Sequence, residues 1–122
     1  MNTILIVDDS SFMRKLIRRI FEREGFLVIG EAENGVICIE KFRELRPEFV
    51  TLDVTMSRMD GIQTLTALMG INPDAKVIMI SALGQESIIK EAILIGAKTF
   101  IVKPFKNGQV ISAVNKMMMH EA

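Results

Sequence analysis

The 122-residue sequence holds one cysteine, one histidine and three prolines, and it has neither tryptophan nor tyrosine. A lone cysteine excludes an internal disulfide, and Cys38 lies among Val36, Ile37 and Ile39 in a helical pattern, where it reads as a small core hydrophobe. A reactive thiol would need a pKa-lowering neighbour, and none stands nearby in sequence. His120 has no sequence partner for metal binding. Lysine plus arginine equals aspartate plus glutamate at 15 each, and no basic arm or cluster marks a nucleic-acid binder. No apolar run reaches the length of a membrane span. Met1-Asn2-Thr3 leads into an apolar segment without the basic region and long apolar stretch of a secretory leader. The expectation is a cytoplasmic protein with no nucleic-acid or membrane partner.

What is present is an ordinary globular balance, 49% apolar and 25% charged. A chain of this length buries roughly two-thirds of its unfolded surface around one core, so residues 1–122 are expected to form a single domain. Short β-branched runs alternate with longer stretches of helical spacing, the pattern of repeated βα units around a parallel sheet.

The first strand spans Ile4 to Val7 and ends in Asp8-Asp9, after which Ser10 or Ser11 caps a helix with apolar positions Phe12, Met13, Leu16, Ile17, Ile20 and Phe21, stopped by Gly25. Leu27 to Ala32 is a second strand, and the helix after Asn34-Gly35 carries Ile39, Phe42 and Leu45 before Pro47. Phe49 to Leu52 is a third strand ending at Asp53, and a loop from Val54 to Gly61 leads to a helix with Ile62, Leu65, Leu68 and Met69 inward. Asn72-Pro73-Asp74 turns the chain into a fourth strand, Lys76 to Ile80, ending at Ser81. A helix from Glu86 to Ile95 stops at Gly96, Thr99 to Val102 runs to Lys103-Pro104, and the last helix aligns Val110, Ile111, Val114, Met117 and Met118. Of the three consecutive methionines, two are expected to complete that buried stripe and one to face solvent.

Helical crossovers bring the carboxyl ends of all parallel strands to one edge of the sheet, where open α/β sheets bind ligands. Asp8, Asp9, Asp53, Ser81 and Lys103 all fall there. Crowded carboxylates repel, and a hard divalent cation with oxygen ligands relieves them; Mg²⁺ suits the set because it takes one or two carboxylates together with phosphate oxygens. Taken singly, each residue has a plainer role: Asp8-Asp9 as a helix-capping pair, Asp53 as a turn residue, Lys103 as a solvated lysine. The case for chemistry lies in their joint placement at four strand ends.

With Asp8-Asp9, Asp53, Ser81 and Lys103-Pro104 so placed, the whole chain resembles the receiver domains of two-component response regulators, and most of all the stand-alone receivers of chemotaxis. The resemblance implies a doubly wound five-stranded parallel sheet of order 2-1-3-4-5 with helices on both faces. It implies that Asp53 accepts a phosphoryl group from a histidine kinase, that Asp8, Asp9, Asp53 and the backbone carbonyl of Thr55 hold Mg²⁺, and that Lys103 and Ser81 attend the phosphoryl oxygens. It implies a cis bond before Pro104. It further implies that Phe100 is a switch aromatic beside a partner face that includes Ile89 and Ile93. The partner would be a flagellar motor switch protein or another effector, the chain a monomer, and its action a switch rather than enzymatic turnover. For Phe100, Ile89 and Ile93 the plainer reading is core.

The sequence departs from the family at Ser57, where a proline is usual. Ser81 in place of threonine and Phe100 in place of tyrosine keep the hydroxyl and the ring. Thr55 and Leu83 match positions that tune dephosphorylation. Other functions are open to comparison. A phosphorelay intermediate would use Asp53 identically. An aspartyl-phosphate hydrolase would need an acid two residues after Asp53, where Thr55 stands. A flavodoxin-like cofactor binder would need a phosphate-cradling loop after the first strand, which Asp8-Asp9 opposes.

Overall fold

The computed structural model describes residues 2–121, with side chains described for residues 2–119. Met1, Ala122 and the side chain of His120 lie outside the described residues. The elements alternate strictly: β1 (Thr3–Val7), α1 (Ser11–Arg23), β2 (Leu27–Ala32), α2 (Gly35–Leu45), β3 (Phe49–Leu52), α3 (Gly61–Ile71), β4 (Lys76–Ser81), α4 (Glu86–Ile95), β5 (Thr99–Val102) and α5 (Asn107–Glu121). Every strand pairing is parallel, and the order across the sheet is β2-β1-β3-β4-β5. This is the expected doubly wound architecture.

Both faces of the sheet are covered, which is why residues 4–7 of β1 and 77–80 of β4 read as unbroken apolar runs. Alternate residues serve opposite layers. Leu5, Val7, Val50, Leu52, Val77 and Met79 pack with Cys38 and Phe42 of α2, Leu65 and Leu68 of α3 and Ala92 of α4. Ile4, Ile6, Phe49, Ile78 and Ile80 face the other way, against Ile17, Ile20 and Phe21 of α1 and Val110, Val114 and Met117 of α5. Phe26 stands edge-on to both Phe21 and Phe49, with ring centroids 5.0 Å apart in each pair.

The helix boundaries follow from local chemistry. The Ser10 side chain accepts from the Met13 N–H, Asn34 from the Ile37 N–H, and Asp60 forms a reciprocal capping box with Gln63. Gly25 and Gly96 take positive φ beyond α1 and α4, as expected of helix-stopping glycines. At the end of α2, Arg46 adopts the left-handed conformation directly before Pro47.

Two side-chain expectations resolve clearly. Cys38 is fully buried, and burial pushes its thiol pKa up to about 12, so it is an inert core residue. Of the consecutive methionines Met117 is buried, Met118 is half-buried and Met119 is exposed. One expectation is corrected: Phe12, grouped with the apolar positions of α1, is 72% exposed. It sits in the first turn, above the strand-end rim, and the buried stripe of α1 begins only further along, at Ile17.

Candidate functional site

The strand-end residues assemble into one compact cluster. Asp8 directly follows β1 and is held by four hydrogen bonds. Its N–H donates to the Ala32 carbonyl (3.1 Å) and its carbonyl accepts from Arg14 Nη1 (2.6 Å). Its Oδ1 accepts from the Ser10 N–H (2.9 Å) and its Oδ2 from Lys103 Nζ (2.8 Å). Asp53 directly follows β3; its Oδ1 accepts from the Thr55 N–H (3.2 Å) and its Oδ2 from the same Lys103 ammonium (3.2 Å). One lysine therefore bridges two buried carboxylates that arrive from different strands. The Lys103–Pro104 peptide is cis, as the family resemblance implies.

Asp9 is exposed on the rim, yet Asp8, Asp9 and Asp53 can each offer an oxygen lying within 4.8 Å of the other two. Burial, followed by the like charges of Asp8 and Asp53, raises the Asp9 pKa, against the opposing charge of Lys103. Burial alone would lower the pKa of Lys103, but the hydrogen bond to Asp8 and the charges of Asp53 and Asp8 outweigh it, and the net direction is up. Three carboxylates share one ammonium, leaving an excess of negative charge among hard oxygen donors. That donor set fits Mg²⁺.

The expected loop from Val54 to Gly61 takes its path from Gly61 and from two strained residues before it. Gly61, the first residue of α3, donates to the Val54 carbonyl at 2.7 Å and lies against the backbone of Asp53. Arg58 and Met59 both take positive φ, 53° and 91°, a region that side chains other than glycine seldom enter. Ser57, in place of the usual proline, is exposed. The loop itself was expected from the sequence, but the positive φ of Arg58 and Met59 was not.

Ser81 reaches the same edge, but its hydroxyl oxygen accepts from the Leu83 N–H (3.2 Å), and its carbonyl accepts from the Lys103 N–H (2.9 Å). It is fully buried, and its backbone, rather than its hydroxyl, meets the lysine. Phe100, opposite Met79 in the β4–β5 pairing, is partly buried against the layer containing α2, α3 and α4. On α4, Ile89 is half-buried, Ile93 is 45% exposed and Leu94 is 86% exposed. Sequence reasoning passed over Leu94. It also passed over Arg14 and Glu31, whose side chains pair at 3.0 Å beside the Asp8 carbonyl.

Comparison with known proteins agrees with this geometry. Residues 4–115 match the family model described as response regulator receiver domain. Chemotaxis protein CheY of Thermotoga maritima is 48% identical over 114 residues, covering 93% of this chain and 95% of its own length. Chemotaxis protein CheY of Bacillus subtilis is 50% identical over 115 residues, covering 94% and 96%. Among solved structures, a chain of the CheX–CheY–BeF3–Mg²⁺ complex from Borrelia burgdorferi superposes with a TM-score of 0.93 at 43% identity, covering 95% of this chain and 88% of that one.

Proposed function

The chain belongs to the response regulator receiver domain family, and from that premise we propose that it is a single-domain, CheY-like chemotaxis switch that accepts a phosphoryl group on Asp53. The observation that carries this reading is the joint hold of Lys103 on Asp8 and Asp53 beside an acidic trio whose oxygens gather within 4.8 Å.

Asp8, Asp9 and Asp53, with the Thr55 backbone carbonyl, would hold Mg²⁺, which when bound supplies charge neutralisation for an incoming phosphoryl group. In the transfer from the phosphohistidine of a kinase, an Asp53 carboxylate oxygen forms a bond to phosphorus as the phosphorus–nitrogen bond breaks. The imidazole nitrogen keeps the electron pair and regains a proton from solvent. Lys103 lies within hydrogen-bond reach of Asp53 and supplies a positive charge for a phosphoryl oxygen. Ser81 would exchange its bond from the Leu83 amide for one to the same group.

The proposed output is a protein-binding face. Phe100 would turn inward as Ser81 moves, altering the surface that holds Ile89 and Ile93, where an effector such as a flagellar motor switch protein binds. Phe100 is only partly buried, in the layer to which Ile88 and Ile95 of α4 also belong, and this incomplete burial supports the reading. The protein would act as a cytoplasmic monomer, reporting state rather than turning over a substrate.

Intact-mass spectrometry after treatment with acetyl phosphate and Mg²⁺ tests the central step. One hydroxylamine-labile phosphoryl adduct is expected in the native protein and none in Asp53→Asn. An equally abundant adduct in the variant would overturn the assignment.

A further inference from the structure

We propose that Arg14 is a positioning residue: by gripping the carbonyl of Asp8 it fixes the Asp8–Asp9 peptide plane and so holds Asp9 within reach of the magnesium site. The inference deepens the metal reading above and rests on it.

Asp9 needs such a device. It is exposed, it lies two residues beyond Val7, the last pairing residue of β1, and it carries the same charge as the two buried carboxylates beside it. The Asp8 carbonyl and the Asp9 N–H belong to one planar peptide unit, so anchoring the carbonyl sets the direction in which Asp9 leaves the strand. Arg14 Nη1 donates to that carbonyl at 2.6 Å.

The guanidinium is itself secured. Arg14 Nε donates to Glu31 Oε1 at 3.0 Å, and the Arg14 side chain is only 17% exposed. The other Glu31 oxygen accepts from Arg18 Nη1 at 2.6 Å, and the Glu31 carbonyl accepts from Lys41 Nζ. Glu31 lies in β2 opposite Ile6 of β1. A rigid chain of contacts thus runs from the sheet edge through Glu31 and Arg14 to the peptide between the two rim aspartates. Groups that hold metal ligands from outside the coordination sphere typically change affinity by about 10- to 100-fold when removed.

The sign of the effect separates positioning from charge. If Arg14 acted only as a nearby cation, its removal would strengthen Mg²⁺ binding by relieving like-charge repulsion. Positioning requires the opposite. Calorimetric titration of the full chain with MgCl₂ is expected to show Arg14→Met and Glu31→Ala each weakened by about 10-fold. Glu31→Gln, which keeps an acceptor for Arg14, should stay close to the native affinity, as should Arg19→Met, which removes the same charge from an exposed position of the same helix without touching Asp8 or Glu31. Metal-free melting curves establish that each variant is folded. Should Arg14→Met fail to fold, Glu31→Ala against Glu31→Gln makes the same comparison. Unchanged or tighter binding in Arg14→Met, or equal weakening in Arg19→Met, overturns the inference while leaving the metal site intact. Failure of the native protein itself to bind Mg²⁺ would remove the underlying reading and the inference together.

Discussion

Gly61 packs so closely on Asp53 that a β-carbon at position 61 would lie 2.0 Å from the Asp53 carbonyl oxygen. The obstacle is backbone, which cannot swing aside as a side-chain tip can. Gly61→Ala is therefore expected to lower stability by about 1–3 kcal/mol, the usual range for forced overpacking, and to displace Asp53. Urea denaturation measures the first effect. Gly70→Ala is the control: it sits in α3 with open space around it, and its unfolding midpoint should rise, by about 0.5–1 kcal/mol in stability.

The hydroxyl of Thr51 is buried on β3 with no hydrogen-bond partner among the described residues. A buried polar group left unmade costs about 1–3 kcal/mol, whereas an apolar group of the same shape avoids that cost. Thr51→Val should accordingly stabilise the protein by about 1 kcal/mol. A fall in the unfolding midpoint on chemical denaturation would contradict this account of the hydroxyl.

Lys103 joins Asp8 and Asp53, both almost fully buried, and removing it leaves the two carboxylates unrelieved. Lys103→Ala is expected to destabilise the metal-free protein by about 3 kcal/mol and to recover much of that on addition of Mg²⁺. The lysine pKa is raised above its ordinary 10.5, so its contribution is fully present below that pH and is lost as pH climbs through the higher folded value. Thermal melts at neutral pH with and without MgCl₂ provide the check.

Asp9 has a linkage of the same sign in an acid window. Its folded pKa lies above the ordinary 3.8, so between those two values the folded state binds more protons than the unfolded one and stability falls as pH rises. Asp9→Asn should melt higher than the native protein at neutral pH, without metal and at low salt. The difference should close once the pH drops below 3.8. Millimolar Mg²⁺ should reverse the order, because the variant lacks a ligand.

The strand ends were legible because parallel strands buried on both faces are predominantly apolar, Thr51 of β3 being an exception, and the polar residues that follow the runs mark the edge. Asp8, Asp53 and Lys103 were found this way, and the structure joins them through one ammonium. Ser81 was found equally well, but the direction of its hydroxyl depends on the turn to Leu83, which composition does not encode. Phe12 misled because helical periodicity cannot tell a first-turn residue over the rim from one over the core. Arg14 and Glu31 were invisible for a different reason. The β1–β2 register shifts between Ile4 and Leu5, so that Ile4 faces Val28 but Leu5 faces Gly30. A one-residue slip exchanges the faces of a strand, and no sequence pattern announced it.

Cys38, the sole thiol, is sealed in the core with a pKa near 12. An alkylating reagent at neutral pH should react with it only during excursions that expose α2. The unmodified chain therefore carries its own clock for opening, and labelling rates can rank the variants above without an added probe.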